Sequence, residues 1–269
     1  MSSSLDLQTI EYSAADGVAH IRFNRPEGAN AVSVAFSRDL REVMLEAAFD
    51  NDVNAVAVTA AGKVFCAGGD LKEFHQAGAG LPKLASDMLT DFHGAIYRMN
   101  RMPKPVVAAV GGAAGGAGLS IISAFDLVIA QESAKFTMAY TRAGVTPDGT
   151  STYFLARHIG VRRALDLVLT NRVLTASEAE SWGLVNRVVP DGEADQAALD
   201  LAKTLAQGPA WALGHAKRLV YEGFDSSLEE AGEREGAVIA TAMAGHDGQE
   251  GIAAFVEKRS PNFTQTTNG

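Results

Sequence analysis

The spacing of apolar and polar residues changes period several times along the chain, and each change marks an element. Residues 5–12 and 18–23 read as two short strands; in the second, apolar Ala19, Ile21 and Phe23 alternate with polar His20 and Arg22, a half-buried pattern. Arg25-Pro26-Glu27-Gly28 is turn material. From Ser33, a natural N-cap, the period becomes helical through Phe36, Leu40, Val43, Met44 and Ala47, and Asn51-Asp52 ends the run. Ala55–Thr59 is a valine-rich apolar run, the mark of a buried strand. Phe65-Cys66-Ala67-Gly68-Gly69-Asp70-Leu71 reads as a strand end feeding a helix, and a long helix carries Leu84, Met88, Phe92 and Ile96 at steps of four. The outline then repeats: strand over 106–110, tight turn over 115–118, helix over 119–124, strand over 127–130, and helices near 151–158 and 161–169. Thr175-Ala176-Ser177-Glu178 is a capping box, Gly183 suits a helix stop, and 184–189 reads as a further strand. Beyond about residue 194 the chain is helical, over 194–206, 210–221, 226–243 and 247–258. Strands alternating with helices predict an α/β body, residues 1–195, followed by a helical region, 196–269.

Composition narrows the functions. With 23 Lys+Arg against 32 Asp+Glu the net charge is −9, which argues against a nucleic-acid binder. Cys66 is the single cysteine, so neither an internal disulfide nor a cysteine zinc cage is available, and the six histidines show no paired metal-ligand spacing. Met1-Ser2-Ser3-Ser4-Leu5-Asp6 has no basic flank or apolar run, so the expected compartment is the cytoplasm. Residues 105–125 carry no charge and are long enough to span a bilayer, but five glycines interrupt them; a buried strand, turn and helix is the better reading, with no membrane partner.

Two glycine turns, each between a predicted strand and a helix, hold the candidate chemistry. In Ala67-Gly68-Gly69-Asp70, glycine lets the backbone approach a ligand and Asp70 can cap the next helix; an ordinary tight turn is the competing reading. The second turn is Gly111-Gly112-Ala113-Ala114-Gly115-Gly116-Ala117-Gly118. It contains no GxGxxG, no Walker Gly-Lys-Ser/Thr and no GxSxG around Ser120, which argues against dinucleotide, nucleotide-phosphate and serine-hydrolase sites. Unpaired N–H groups at two such turns could instead converge on one carbonyl oxygen.

These residues resemble the crotonase, or enoyl-CoA hydratase/isomerase, superfamily. The likeness runs through Asn24-Arg25-Pro26 with Asn30-Ala31, Phe65–Leu71, Lys104-Pro105-Val106 with the glycine turn, Phe125-Asp126-Leu127, Ala134-Lys135-Phe136, Glu250–Phe255 and Lys258-Arg259. It implies a spiral of ββα units with a C-terminal helical trimerisation region, hence a homotrimer or a hexamer of paired trimers. It implies an acyl-CoA thioester substrate, with coenzyme A as part of the substrate and no separate cofactor or metal. It also implies an oxyanion hole from the N–H groups of Gly69 and Ala117, with substrate contacts from Ala67, Asp70, Leu71, Lys72, Ser120, Tyr140, Phe255 and Lys258.

The carboxylates depart from the hydratase pattern. Hydratases of the family carry glutamates at the positions held here by Ser120 and Tyr140, and hydration needs a water activated between acid and base. Asp148, in Thr146-Pro147-Asp148-Gly149, remains nearby. Taken alone it reads as the N-cap of the 150–158 helix. The resemblance suggests another role: such a turn is similar to that of members that move double bonds, including those isomerising a ring epoxide of a phenylacetyl-CoA, where the equivalent aspartate is the acid/base. Double-bond isomerisation is the favoured expectation; hydration, thioester hydrolysis or acyl-CoA binding without turnover are the alternatives. Tyr140 either orients substrate or packs. Ser120 either meets substrate or back-bonds within its helix, the latter favoured. Cys66 reads as a buried filler, and Arg25, Lys72, Lys258 and Arg259 as the positive groups available to coenzyme A.

Overall fold

The computed structural model describes residues 5–263. Its strands are β1 (Ile10–Ala15), β2 (Val18–Phe23), β3 (Ala55–Ala60), β4 (Val64–Cys66), β5 (Val106–Val110), β6 (Ala113–Gly115), β7 (Leu127–Gln131), β8 (Lys135–Thr137), β9 (Leu174–Thr175) and β10 (Arg187–Val189). The helices are α1 (Val34–Phe49), α2 (Leu71–Ala77), α3 (Leu81–Arg101), α4 (Ala117–Ala124), α5 (Ser151–Ile159), α6 (Val161–Thr170), α7 (Ala176–Trp182), α8 (Ala194–Ala206), α9 (Ala210–Gly223), α10 (Leu228–Ala244) and α11 (His246–Glu257).

The strands divide between two sheets, in the orders β1-β2-β3-β5-β7-β10 and β4-β6-β8-β9. Each pass of the chain places one strand in each: β3 then β4, β5 then β6, β7 then β8. Within the small sheet β4, β6 and β8 run parallel, so three successive strand ends lie side by side on one edge. The second sheet is absent from the periodicity because Ala113–Gly115 and Lys135–Thr137 are three residues each, too short to show a period of two. The segment expected to be one turn over 115–118 is therefore a strand end, a kink at Gly116 (φ 49°) and the start of α4 at Ala117.

Two other bounds move for local reasons. The first strand begins at Ile10 rather than residue 5, because the buried Asp39 carboxylate takes the Gln8 and Thr9 N–H groups, each at 2.8 Å. The last begins at Arg187 rather than residue 184, because the Leu184 and Val185 N–H groups close α7 on the Ala179 carbonyl.

Charge-free 105–125 folds as the buried strand β5, then β6 and the wholly buried α4; among the described residues no helix is long and apolar enough to cross a membrane. Phe23 packs on Phe36 and Phe65 (centroids 4.8 and 5.2 Å), tying α1 to both sheets. On the other face of the large sheet, Ala194, Ala198, Ala202 and Ala206 of α8 pack on Ala55, Ala57, Val107 and Ala109. The division expected at residue 195 thus falls within a helix that shares the body's core. Farther on, α9 to α11 bury little in the single chain and expose Leu228, Ile252, Phe255 and Val256.

Candidate active site

The two glycine turns meet because β4 and β6 are neighbours, with Cys66 opposite Ala114. A Cβ on Gly118 would lie 2.3 Å from the Cys66 carbonyl oxygen, so a side chain there would force α4 away from β4. With glycine present, the Gly68 backbone lies against Gly115, Gly116 and Ala117: an ideal Cβ on Gly68 would be 3.6 Å from the Ala117 nitrogen.

Two N–H groups are left free at this junction. Val32 N–H donates to the Gly68 carbonyl (2.7 Å) and Asp70 N–H donates to the Val32 carbonyl (2.8 Å). In that parallel bridge the intervening Gly69 N–H faces the opposite way. Ala117 opens α4, where N–H groups have no partner within the helix. Among the described residues neither N–H donates a hydrogen bond. Asp70 caps α2 through the N–H groups of Lys72 and Glu73, and Arg25 bonds both its carboxylate (2.8 Å) and the Ala31 carbonyl (2.9 Å). Burial pushes the Asp70 carboxyl up, but Arg25 and the two N–H groups outweigh it and hold it below the usual range. Asn30 anchors the same loop, donating to the carbonyls of Ala61 and Val64.

The third strand end, β8, delivers Tyr140. Its hydroxyl is 2.9 Å from Ser120 Oγ and donates to Asp148 Oδ1. Asp148 is therefore not the N-cap of α5. That position belongs to Thr150, which is left-handed (φ 59°) and makes no side-chain cap, while the Asp148 main-chain carbonyl accepts from Ser151 N–H and Oγ–H. Gly149 is also left-handed (φ 60°), and a Cβ there would lie 2.8 Å from both Phe92 and Ser120. Burial pushes the Asp148 carboxyl above the ordinary carboxylate range, and the Tyr140 hydrogen bond pulls it back only partly. The Ser120 hydroxyl reaches the Gly116 carbonyl at 3.4 Å, the helical back-bond, and it also lies 2.9 Å from the Tyr140 hydroxyl, the shorter contact.

His93, on α3, is the neighbour that spacing could not find. Its Nε2 accepts the Gly149 N–H at 3.2 Å, which puts the ring proton on Nδ1. Residues 93 and 149 have no sequence relation; the pairing arises because α3 crosses the face where the loop before α5 turns inward.

The structure thus gathers Gly69, Ala117, Ser120, Tyr140 and Asp148. Ser120 lies three residues along α4 from Ala117, a backbone rise of about 4.5 Å. Ala67, Leu71 and Lys72 are exposed around the first turn. Phe255 and Lys258 stand apart at the end of α11, Phe255 being 86% exposed, and make no hydrogen bond with the cluster. Two of the four expected cationic groups are already engaged: Arg25 by Asp70, and Arg259 by Glu250 and Glu257. Cys66 is fully buried and its thiol is pushed up to about 12. Among the described residues no cluster of His, Cys, Asp or Glu could hold a metal ion.

The family model described as enoyl-CoA hydratase/isomerase matches residues 13–266. The chain belongs to the enoyl-CoA hydratase/isomerase family. Relatives include the 1,2-epoxyphenylacetyl-CoA isomerase of Escherichia coli (strain K12), 34% identical over 92% of this chain and 95% of that protein. Another is the 4-chlorobenzoyl coenzyme A dehalogenase-2 of an Arthrobacter species, 34% identical over 96% and 94%. The solved enoyl-CoA hydratase of Polaromonas sp. JS666 superposes with a TM-score of 0.91 at 31% identity, covering 95% of this chain and 99% of that one. The two-sheet spiral is thus the crotonase fold, and the chain is an enzyme of this acyl-CoA family. Its relatives carry isomerase, hydratase and dehalogenase names on one architecture, so the particular reaction must be argued from the site.

Proposed function

We propose that this enzyme isomerises an unsaturated or strained acyl-CoA thioester through an enolate, with Asp148 as its proton carrier. The observation that carries the reading is the direction of the Asp148 carboxylate: it forgoes the helix cap and points to the Tyr140 hydroxyl, beside the N-terminus of α4. In this reading the thioester carbonyl lies between the Gly69 and Ala117 N–H groups. Asp148 removes a proton next to, or conjugated with, that carbonyl; the enolate oxygen takes the charge; and the same carboxyl returns the proton to another carbon of the allylic system. Each N–H is worth about 3–4 kcal/mol where the oxyanion develops, and a positioned acid/base contributes about 10²–10⁴-fold. A carboxyl held above its ordinary range suits both halves of the exchange, because it accepts a proton more readily than an exposed aspartate.

Hydration has less support. It needs a second group to activate water, and the hydroxyls of Ser120 and Tyr140 are already committed to the chain that ends on Asp148. The test is a turnover screen with 2-enoyl-, 3-enoyl-, dienoyl- and arylacetyl-CoA esters, run beside Asp148→Asn. Isomerised product from wild type and none from the variant, with CoA-ester binding retained, is expected. Formation of 3-hydroxyacyl-CoA as the main product, or full activity in Asp148→Asn, would overturn the assignment. The exposed apolar residues of α9 to α11 support a homotrimer or a pair of trimers, and Lys258 remains available to coenzyme A phosphates.

A further inference from the structure

Asp148 is the end of a directed hydrogen-bond chain. A phenol has one proton, and an ionised carboxylate only accepts, so the Tyr140 proton lies on Asp148 Oδ1. The 2.9 Å contact with Ser120 Oγ must then run the other way, Ser120 donating to the Tyr140 oxygen. Each donor polarises the next, and the order ends on the carboxylate. Oδ2 accepts no hydrogen bond among the described residues and is the oxygen left for a substrate proton.

The backbone is bent to present both partners. Tyr140 N–H donates to the Met138 carbonyl at 2.6 Å across Ala139, whose φ is 49°, a tight three-residue turn that a non-glycine residue adopts at a cost. Asp148 is followed by two left-handed residues, Gly149 and Thr150. Strain on both sides of one hydrogen bond, with Tyr140 and Ser120 buried, marks the contact as maintained by its surroundings.

We propose that Tyr140 is a positioning residue for the proton transfer: with Ser120 behind it, it fixes the Asp148 carboxylate with Oδ1 bound and Oδ2 free. This rests on the reading of Asp148 as acid/base. The phenol bond favours the ionised carboxylate over the protonated one. It therefore offsets part of the effect of burial in the resting enzyme, and it favours release of the proton back to the substrate once Oδ2 has taken it.

The test follows exchange of solvent deuterium into 3-hexenoyl-CoA by mass spectrometry, across pH, for wild type, Tyr140→Phe, Ser120→Ala and Asp148→Asn. Loss of a hydrogen bond to a charged group is expected to move the acidic limb of kcat/KM in Tyr140→Phe upward by about one to two pH units. At a fixed acidic pH that is about a ten- to hundredfold loss, shrinking at high pH, with KM little changed. Ser120→Ala, which keeps the phenol but removes the donor behind it, is expected to shift the limb the same way by less. A Tyr140→Phe enzyme whose limb stays at the wild-type pH, however unstable or slow, overturns the positioning role while Asp148→Asn remains inactive. Full exchange in Asp148→Asn, or none in wild type, overturns the acid/base reading and the proposal together.

Discussion

Replacing Lys217 with methionine tests how the helical region is fastened to the spiral. Lys217, on α9, is 91 residues from Asp126, yet its ammonium lies 2.7 Å from Asp126 Oδ2, with side-chain exposures of only 7% and 13%. The ammonium also donates to the carbonyls of Met99 (2.7 Å) and Lys104 (3.0 Å), so it satisfies the end of α3 as well. Asp126 accepts the Val106 N–H (2.8 Å) and the Tyr221 hydroxyl (2.9 Å) besides. Methionine keeps the bulk of the stem but leaves a buried carboxylate without its counter-charge and two carbonyls without a donor. Breaking one side of such a pair costs about 3–5 kcal/mol. With a urea dependence of about 3 kcal/mol per molar, the midpoint falls by about 1–1.7 M. Pairing Lys217→Met with Asp126→Asn removes the stranded charge, so the double variant should lose less than the sum of the singles, by about 1–3 kcal/mol. The assay is equilibrium urea unfolding at one protein concentration, since assembly would also move the midpoint. A loss below 1 kcal/mol in Lys217→Met, or strict additivity in the double variant, would refute the reasoning.

Three further outcomes follow from the site. Asp148→Asn should raise the melting temperature at pH 7–8 even as it removes activity: a carboxyl whose folded pKa is raised stabilises the fold fully below its unfolded value of about 3.9, and loses that contribution as pH rises through the folded pKa. The gap to wild type should therefore narrow as pH falls toward 4, and a lower melting temperature for the variant at pH 8 would contradict it. Gly118→Ala should destabilise by about 1–3 kcal/mol and depress turnover, because its Cβ meets the Cys66 carbonyl oxygen, a backbone atom that cannot step aside; unchanged urea midpoint and rate would count against the contact. Cys66 should resist iodoacetamide at pH 8 in the native protein and react after unfolding, being buried with its thiol pushed up to about 12; rapid native alkylation would show that the strand end opens.

What the sequence discloses and what it hides divide along the range of the interactions involved. The caps at Ser33, Asp70 and Thr175 with Glu178 are bonds between residues two or three apart, and all form. The helices after residue 194 are long enough for their period to dominate. Asp148 was ambiguous for the opposite reason. Its neighbours allow a helix cap, and only Tyr140, brought in by a strand too short to read, together with His93, which pins the adjacent N–H, decides that the carboxylate turns inward. The same logic explains Arg25 and Arg259, whose positive charge suggests an anionic ligand until Asp70 and Glu250 are seen to occupy them. It also explains why Asp126, legible as part of a family pattern, acquires its physical reason only when a lysine 91 residues later closes on it. Local chemistry thus names the turns that build the junction of the two sheets. The hydrogen bonds that select among their possible uses come from residues 8 to 56 positions away, Tyr140 on Asp148 and His93 on Gly149. A substitution at either partner should accordingly alter the reaction before it alters the fold.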